Sequence, residues 1–544
     1  MRTLLLGLLV LPAAAAPGSP LDPLPAAEWT PAAAGHLLRR AGFGGSPEQV
    51  RALHALGLDG ALDALLGWEG QADAGIEGPD ITLTTQPGRE MMMAADSQED
   101  RQQMVRAHRR QDAMQLMRVR EWWVRSMIRT RFPLRERMVL FWHGHFTSGY
   151  RDVRNSYHMY VQNTLFRRHA AGSFRALLHE ISKDPAMLEY LDNNRNRKER
   201  PNENYAREVM ELFTLGTGNY TEDDIKELAR GLTGWSFDGN RFEFHERQHD
   251  RGAKTFLGRR GQFGGDEMLD IILEQPAASR YLAERLWAFF AVGDADPAVI
   301  DGLARTLRDR DWQLAPALRQ LFGSRAFFAT AGRKIKSPVE LIVGLYRTTD
   351  LDARGAFGLS LAAEALGQTL LDPPNVKGWP GGRDWITTSL LFSRYNVASA
   401  IVGLPQDRAR VLDGMGAQGP AGKGLRALQR ARRVDPNGEE MEGMGPGEGM
   451  EEDDAQPSGR GRRRGEGLAP VYDVLGELQE RGLMTPEEIV DFYAGALLVV
   501  PPPEELRRTL VEYLAGLDLA RPDAKERLHG MLRLLVSTPE FQLS

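Results

Sequence analysis

The chain has 544 residues, 42% of them hydrophobic and 8% aromatic, and a formal net charge of −6. That length predicts several domains or one large layered body, and the near-balanced charge, with no basic stripe carrying interleaved aromatics, excludes a general nucleic-acid binder. Cysteine is absent, which excludes disulfides, thiolate metal centres and cysteine nucleophiles and leaves His, Asp, Glu, Asn and carbonyls to hold any metal.

Residues 1–16 place Arg2 before an apolar run from Leu4 to Leu11, followed by small residues from Ala13 to Ala16. This is the build of a secretory signal peptide. The run is shorter than the roughly 20 residues a membrane span needs, so the mature chain is expected to be exported, to the periplasm, envelope or medium, without a transmembrane segment. Residues 17–29 read as a flexible Pro/Ala-rich segment, and a main helical domain is expected over 30–405. Thr30 followed by Pro31 reads as an N-cap and a first helical position. A long charged helix is expected over 98–130, and "PLRERMVLFWHGHF", Pro133 to Phe146, continues as helix to His143 and His145. Residues two apart on a helix point apart, so joint metal ligation by this pair requires the helix to break at Gly144.

"NENYAREVMELFTLG", residues 202–216, predicts an amphipathic helix with Tyr205, Ala206, Val209, Met210, Leu212 and Phe213 on its apolar arc. The opposite face holds Asn204, Glu208 and Glu211. Two readings stand. Glu203, Arg207 and Glu211, four residues apart, form a surface ion-pair ladder worth a few tenths of a kcal/mol per pair. Alternatively Glu208 and Glu211, three apart, reach one cation or work as an acid/base pair.

Thr221 caps the next helix, with Asp224 in the capping-box position. From Ser236 to Gly264 the chain turns aromatic and Gly-rich, a loop with a short β-hairpin near 236–258. Within it His249 and Asp250, followed by Lys254, offer an imidazole and a carboxylate to one metal, or a carboxylate that orients a histidine. Helical patterns resume over 267–328 and 337–348. "PPNVKGWPGGRDWI", residues 373–386, would line a pocket for a sugar or another flat polar substrate with Asn375, Lys377 and Trp379, or pin a rigid loop to the core. Residues 406–468 read as a disordered low-complexity insertion, and helices over 469–544 are expected to pack on the main domain. The fold class is mostly α: a large multi-helical, bundle-like body with irregular Gly/Pro/Trp-rich loops.

No HExxH, phosphate-binding loop, dinucleotide fingerprint or G-x-S-x-G elbow is present. "HLLRRAGFG", "FWHGHFTSG", the stretch from Asn202 to Trp235, "HDRGAKTFLG", "SPVELIVGLYR" and "PPNVKGWPGGRDWI" occur in an order that resembles the exported bacterial members of the domain of unknown function 1800 family (DUF1800). The resemblance runs from Thr30 to Ser544 outside the insertion. It implies an exported protein with a second exported protein, encoded nearby, as partner, and it names no reaction. Its pattern of His145, Asn202, Glu203, Arg207, Glu208, Glu211, Trp235, His249, Asp250 and Lys254 is too polar for a plain core, and such groups need each other, a metal or a ligand.

The leading expectation is a hydrolase acting on an envelope or extracellular polymer with a divalent metal ion. Glu208 or Glu211 would serve as carboxylate base, and Lys254 or Arg207 would stabilise developing negative charge. His145, His249, Asp250 and Glu208 would hold the metal, and Trp235, Asn375, Lys377 and Trp379 would contact substrate. The rival is a non-enzymatic exported binding or assembly protein whose polar motifs form a buried structural network. A pocket with unpaired carboxylates where helix 202–216 meets loop 245–254 favours the first; saturation of those groups by arginines and backbone favours the second.

Overall fold

Helices dominate because the sequence supplies their ends. Thr30 accepts a hydrogen bond from the Ala33 amide at 3.2 Å and Pro31 opens the helix Pro31–Gly42. Ser46, Thr221, Ser337 and Thr485 each form reciprocal capping boxes, with Gln49, Asp224, Glu340 and Glu488; caps of this kind contribute about 1 kcal/mol each. The computed structural model describes residues 19–71, 73, 76–82, 97–353, 358–404 and 472–544. The signal peptide read at 1–16 and the insertion read at 406–468 lie outside the described residues.

The long helix Gln98–Arg129 is charged and exposed at its start and mostly buried from Leu116 to Ile128, Arg118 and Arg125 excepted, where Trp122 and Trp123 enter the core. Pro133–His145 is buried on nearly every side, its Glu136 and Arg137 included, and these two charges are paired with Arg167 and Glu340. The helical stretch over 173–192 divides into Phe174–Ile181 and Pro185–Tyr190. Proline cannot continue the first helix, and Asp184 caps the second by accepting from the Met187 amide at 3.0 Å.

The protein is mostly α. Among the described residues the strands form two antiparallel hairpins, β1 (Trp235–Asp238) with β2 (Arg241–Phe244), and β3 (Lys254–Phe256) with β4 (Arg259–Gly261). Trp235 lies opposite Phe244 and Lys254 opposite Gly261. The single hairpin expected near 236–258 is therefore two, with His249 and Asp250 on the connection.

One hydrophobic core runs from Leu24 through the central helices to Phe541. Ala524–Val536 packs on Thr388–Val402, and buried Arg394 ties the C-terminal segment down by donating to Gln542 Oε1 at 2.7 Å and to the Lys336 carbonyl at 2.8 Å. Near the start, the Leu24 amide donates to the Gly323 carbonyl at 2.9 Å. No described helix is long and apolar enough to cross a membrane. The C-terminal end of Pro133–His145, the helices Pro276–Phe290 and Pro297–Asp309 and the loop around Lys377 together line a groove.

Candidate functional site

The segment at 202–216 is not one α-helix. Asn202 caps Glu203–Glu208, and the chain then widens into a π-helical turn over Val209–Thr214, closed by the Leu215 amide on the Met210 carbonyl at 2.9 Å. Such a turn takes up an extra residue, shifting the register of all that follows, and π-turns recur at functional sites. The expected ladder breaks here. Arg207 pairs with Glu203 at 3.4 Å and with Glu222 at 2.8 Å, whereas Glu211 accepts from Tyr220 Oη at 3.3 Å.

A helix end leaves carbonyls without partners, and here side chains from elsewhere in the chain supply the donors. Tyr281 Oη donates to the Leu212 carbonyl at 2.8 Å, Asn219 Nδ2 to that of Leu215 at 2.9 Å, and His145 Nε2 to that of Phe213 at 2.9 Å. His145 is 2% exposed and packed among Phe141, Trp142, Phe146 and Phe213. Burial, reinforced by the nearby Arg285 guanidinium, pushes its imidazole down to about 3. The ring is neutral, its proton sits on Nε2, and Nδ1 is a buried acceptor with no hydrogen-bond partner.

His145 forms part of the wall of a groove of about 950 Å³. Five cations line it, Arg280, Arg285, Arg305, Arg308 and Lys377, against three acids, Glu211, Glu284 and Asp301. Arg280 pairs with both Glu284 and Asp301. Arg308 donates to Ser279 Oγ. Among the described residues Arg285, Arg305 and Lys377 form no ion pair, and Arg285 Nε is buried without an acceptor. Glu208, half-buried beside the groove, has its carboxyl pushed up by burial and by Glu211, against the pull of Arg207 and Lys377.

Lys377 reaches the groove because its loop docks on the end of the histidine helix. Asn375 Oδ1 accepts from the Lys377 amide at 2.9 Å, and Trp379 Nε1 donates to the Thr369 carbonyl at 3.0 Å. Gly378 has φ +87°, and a Cβ there would stand 2.4 Å from the Gly144 carbonyl. The helix does not break at Gly144; it continues to His145. His143 turns the other way, between Trp123 and Phe166, and accepts from Asn163 Nδ2 at 3.0 Å.

The remaining candidates stand elsewhere. Asp250 receives Arg230 Nε at 2.8 Å and the Gly252 amide at 2.8 Å, and its own amide donates to Thr233 Oγ1 at 2.8 Å. Arg230 holds its carboxyl below the usual range. Lys254 is buried and donates to the Asp250 carbonyl at 2.7 Å and the Gly252 carbonyl at 3.2 Å. His249 Nδ1 donates to the Thr233 carbonyl at 2.9 Å. His249 and the buried Trp235, with Phe242 and Phe244, border a second groove of about 560 Å³. The Lys183 ammonium sits 5.3 Å from the Trp235 ring centre.

His145, Glu211 and Lys377 thus share one site, with Glu208 beside it, while Arg207, Asp250 and Lys254 are held by partners within the protein. Among the described residues no group of three or more His, Asp or Glu is placed to hold a metal ion. Sequence reading missed Tyr281, Arg285, Arg305 and Arg308. The available signal was Tyr281 and Arg285, one turn apart in "PAASRYLAERLWAFF", a helix otherwise read for its apolar face.

No curated protein and no solved structure matches the chain. The pattern of DUF1800, described as a protein of unknown function, matches residues 36–543, and the chain belongs to that family.

Proposed function

We propose that this is an exported binding or assembly protein whose polar motifs are scaffold and whose ligand-facing surface is the basic groove at His145. The observation that carries the reading is the saturation of the 249–254 loop. Arg230, Thr233 and the backbone of Asp250 and Gly252 hold Asp250, the Nδ1 of His249 and Lys254, so these residues brace the second hairpin. The unpaired cations lie instead on the groove. The leader-like residues 1–16 support export, and a mature N-terminus following Ala14 to Ala16 in a fractionated culture tests it. A second exported protein as partner belongs to the same reading and is tested by co-purification.

Lys254→Met separates scaffold from catalyst. It removes the ammonium donor from the part-buried Asp250 carbonyl and from the Gly252 carbonyl, and a loss of about 1–3 kcal/mol in urea unfolding is expected. An unchanged unfolding midpoint would sink the scaffold reading.

One observation favours hydrolysis as a second reading. Glu208 and Glu211 are neighbouring carboxylates beside Lys377, with Glu208 pushed up by burial and by Glu211, and a raised carboxyl of this kind suits general acid/base work. Under that reading Glu208→Gln abolishes release of reducing ends from an acidic polysaccharide while the fold survives; no release by the wild-type protein removes it.

A further inference from the structure

The groove places cations and hydrogen-bond acceptors side by side. Arg285, Arg305 and Lys377 have no carboxylate within ion-pair distance among the described residues, and Arg285 Nε is buried without an acceptor. Next to them, buried His145 Nδ1 holds a lone pair that receives no donor, because the ring's proton is committed to the Phe213 carbonyl. Glu211 adds a carboxylate that, among the described residues, accepts from Tyr220 Oη.

Each of these groups asks something different of a ligand. Guanidinium and ammonium groups need negative charge, whereas Nδ1 and a carboxylate need O–H or N–H donors. A bare inorganic anion brings few donors and is repelled by Glu211. A neutral sugar brings donors and leaves three cations uncompensated. Both demands are met by a molecule that carries an acid beside free hydroxyls.

We propose that the groove binds an acidic saccharide, a sugar bearing a carboxylate or phosphate, with Arg285, Arg305 and Lys377 on the anion and His145 Nδ1 and Glu211 on the hydroxyls. This rests on the reading of the groove as the binding surface. Its volume of about 950 Å³ lies at the upper end of the roughly 300–1,000 Å³ of small-molecule sites, room for more than one sugar ring. Tyr281, whose hydroxyl is fixed on the Leu212 carbonyl, offers an aromatic body on the wall against which a ring can pack.

Titration calorimetry on the full mature chain tests the proposal with four probes: trigalacturonate, glucose 1-phosphate, maltotriose and inorganic phosphate. Trigalacturonate or glucose 1-phosphate should bind at least about tenfold tighter than maltotriose and inorganic phosphate, since a charge-assisted pair and a satisfied acceptor each account for about that factor. Whichever acid binds tighter identifies the anion as carboxylate or phosphate. Arg285→Met and Lys377→Met should each weaken that binding about tenfold, with Arg305→Ser, an exposed position, as the variant that cannot be dismissed as misfolded. Equal binding of maltotriose would overturn the role of the anion. Inorganic phosphate binding as tightly as the acidic sugars, and lost in Arg285→Met, would overturn the saccharide while leaving the groove a binding surface. No binding of any probe would overturn both.

Discussion

Around Glu340 the interior gathers Arg137, Lys334 and Arg40; along the groove the surface gathers Arg285, Arg305, Arg308 and Lys377. The interior cluster is built on a carboxylate, although among the described residues Arg40 Nε and Arg137 Nε and Nη1 are buried without an acceptor. Arg137 donates to Glu340 Oε1 at 2.6 Å, Lys334 stands 3.5 Å from the same oxygen, and the Ser337 amide takes the other at 2.6 Å. Excess charge is spread over the Phe43 and Phe289 rings, 4.9 and 4.6 Å from the Arg137 guanidinium carbon, and over the Thr330 and Ser544 hydroxyls that accept from Arg40. Among the described residues Arg285, Arg305 and Lys377 have no such arrangement. A buried cation without a partner is prohibitive, but one that water reaches is not, so the groove keeps unpaired charge at little cost to folding. Pairing marks where the fold needs charge, and its absence marks where a ligand can supply it.

The largest way to test that contrast is Glu340→Gln. Removing the charge while keeping the shape leaves Arg137, Lys334 and Arg40 buried around a neutral amide, and breaking a buried pair this way costs about 3–5 kcal/mol. Burial already pushes Lys334 down to about 7, so the cluster has one relief, loss of the Lys334 proton. A loss below about 1 kcal/mol in urea unfolding would show that this relief suffices, and the interior pairing would then not be what holds the cluster.

Asp184 sharpens the contrast from the acidic side, because no cation faces it. It is buried, accepts from Gln162 Nε2 at 2.9 Å, and is pushed up to about 7, chiefly by burial. Its folded pKa lies above its unfolded value of 3.8, so the folded protein holds the proton more tightly. The associated stability is fully present below about pH 4 and is lost as pH rises through about 7, in all about 4 kcal/mol at 1.36 kcal/mol per unit. Asp184→Asn removes the titration and keeps an N-cap acceptor. Urea unfolding at pH 5 and pH 8 should show the variant gaining stability relative to wild type as pH rises; parallel pH dependences would refute the assignment.

The closed regions were more legible in the sequence than the open one. Thr30-Pro31 and the Thr221–Asp224 capping box announce their helices through residues within four positions of each other. The π-turn carried no such signal: "VMELFT" is good α-helical sequence, and the turn is held by Tyr281 and His145, 69 and 68 residues away. Of the Glu203–Arg207–Glu211 ladder, whose spacing assumes a regular helix, the Glu203–Arg207 pair forms and the rung to Glu211, inside the π-turn, does not. The groove was half legible. His145, Glu211 and Lys377 were singled out for their chemistry, but their convergence with Arg285 and Arg305 is a product of tertiary packing. In the Asp250–Lys254 motif, polar residues close in sequence satisfy one another, Lys254 donating to the Asp250 carbonyl.

Arg285→Met probes the open side directly. With no acid paired to it and one buried nitrogen unsatisfied, Arg285 contributes little to folding, and the variant should stay within about 1 kcal/mol of wild type in urea unfolding. Methionine retains most of the apolar stem that packs beside His145. A loss of several kcal/mol would place Arg285 among the structural cations and erase the contrast with the Glu340 cluster.

Arg207→Ala should have the smallest effect, and it decides the question raised by the helix at 202–216. Arg207 is paired with Glu203 and Glu222, both substantially exposed, and exposed pairs of this kind contribute about 0.2–1 kcal/mol. Its guanidinium is turned to these partners and away from Glu211, so the variant should bind groove ligands as the wild type does. The pairing should also weaken with salt, with most of the stability difference gone at about 1 M, where screening acts over about 3 Å. If instead the variant folds normally and loses ligand binding, the carboxylate face of this helix extends the groove, and the boundary between paired scaffold and unpaired site moves out to include it.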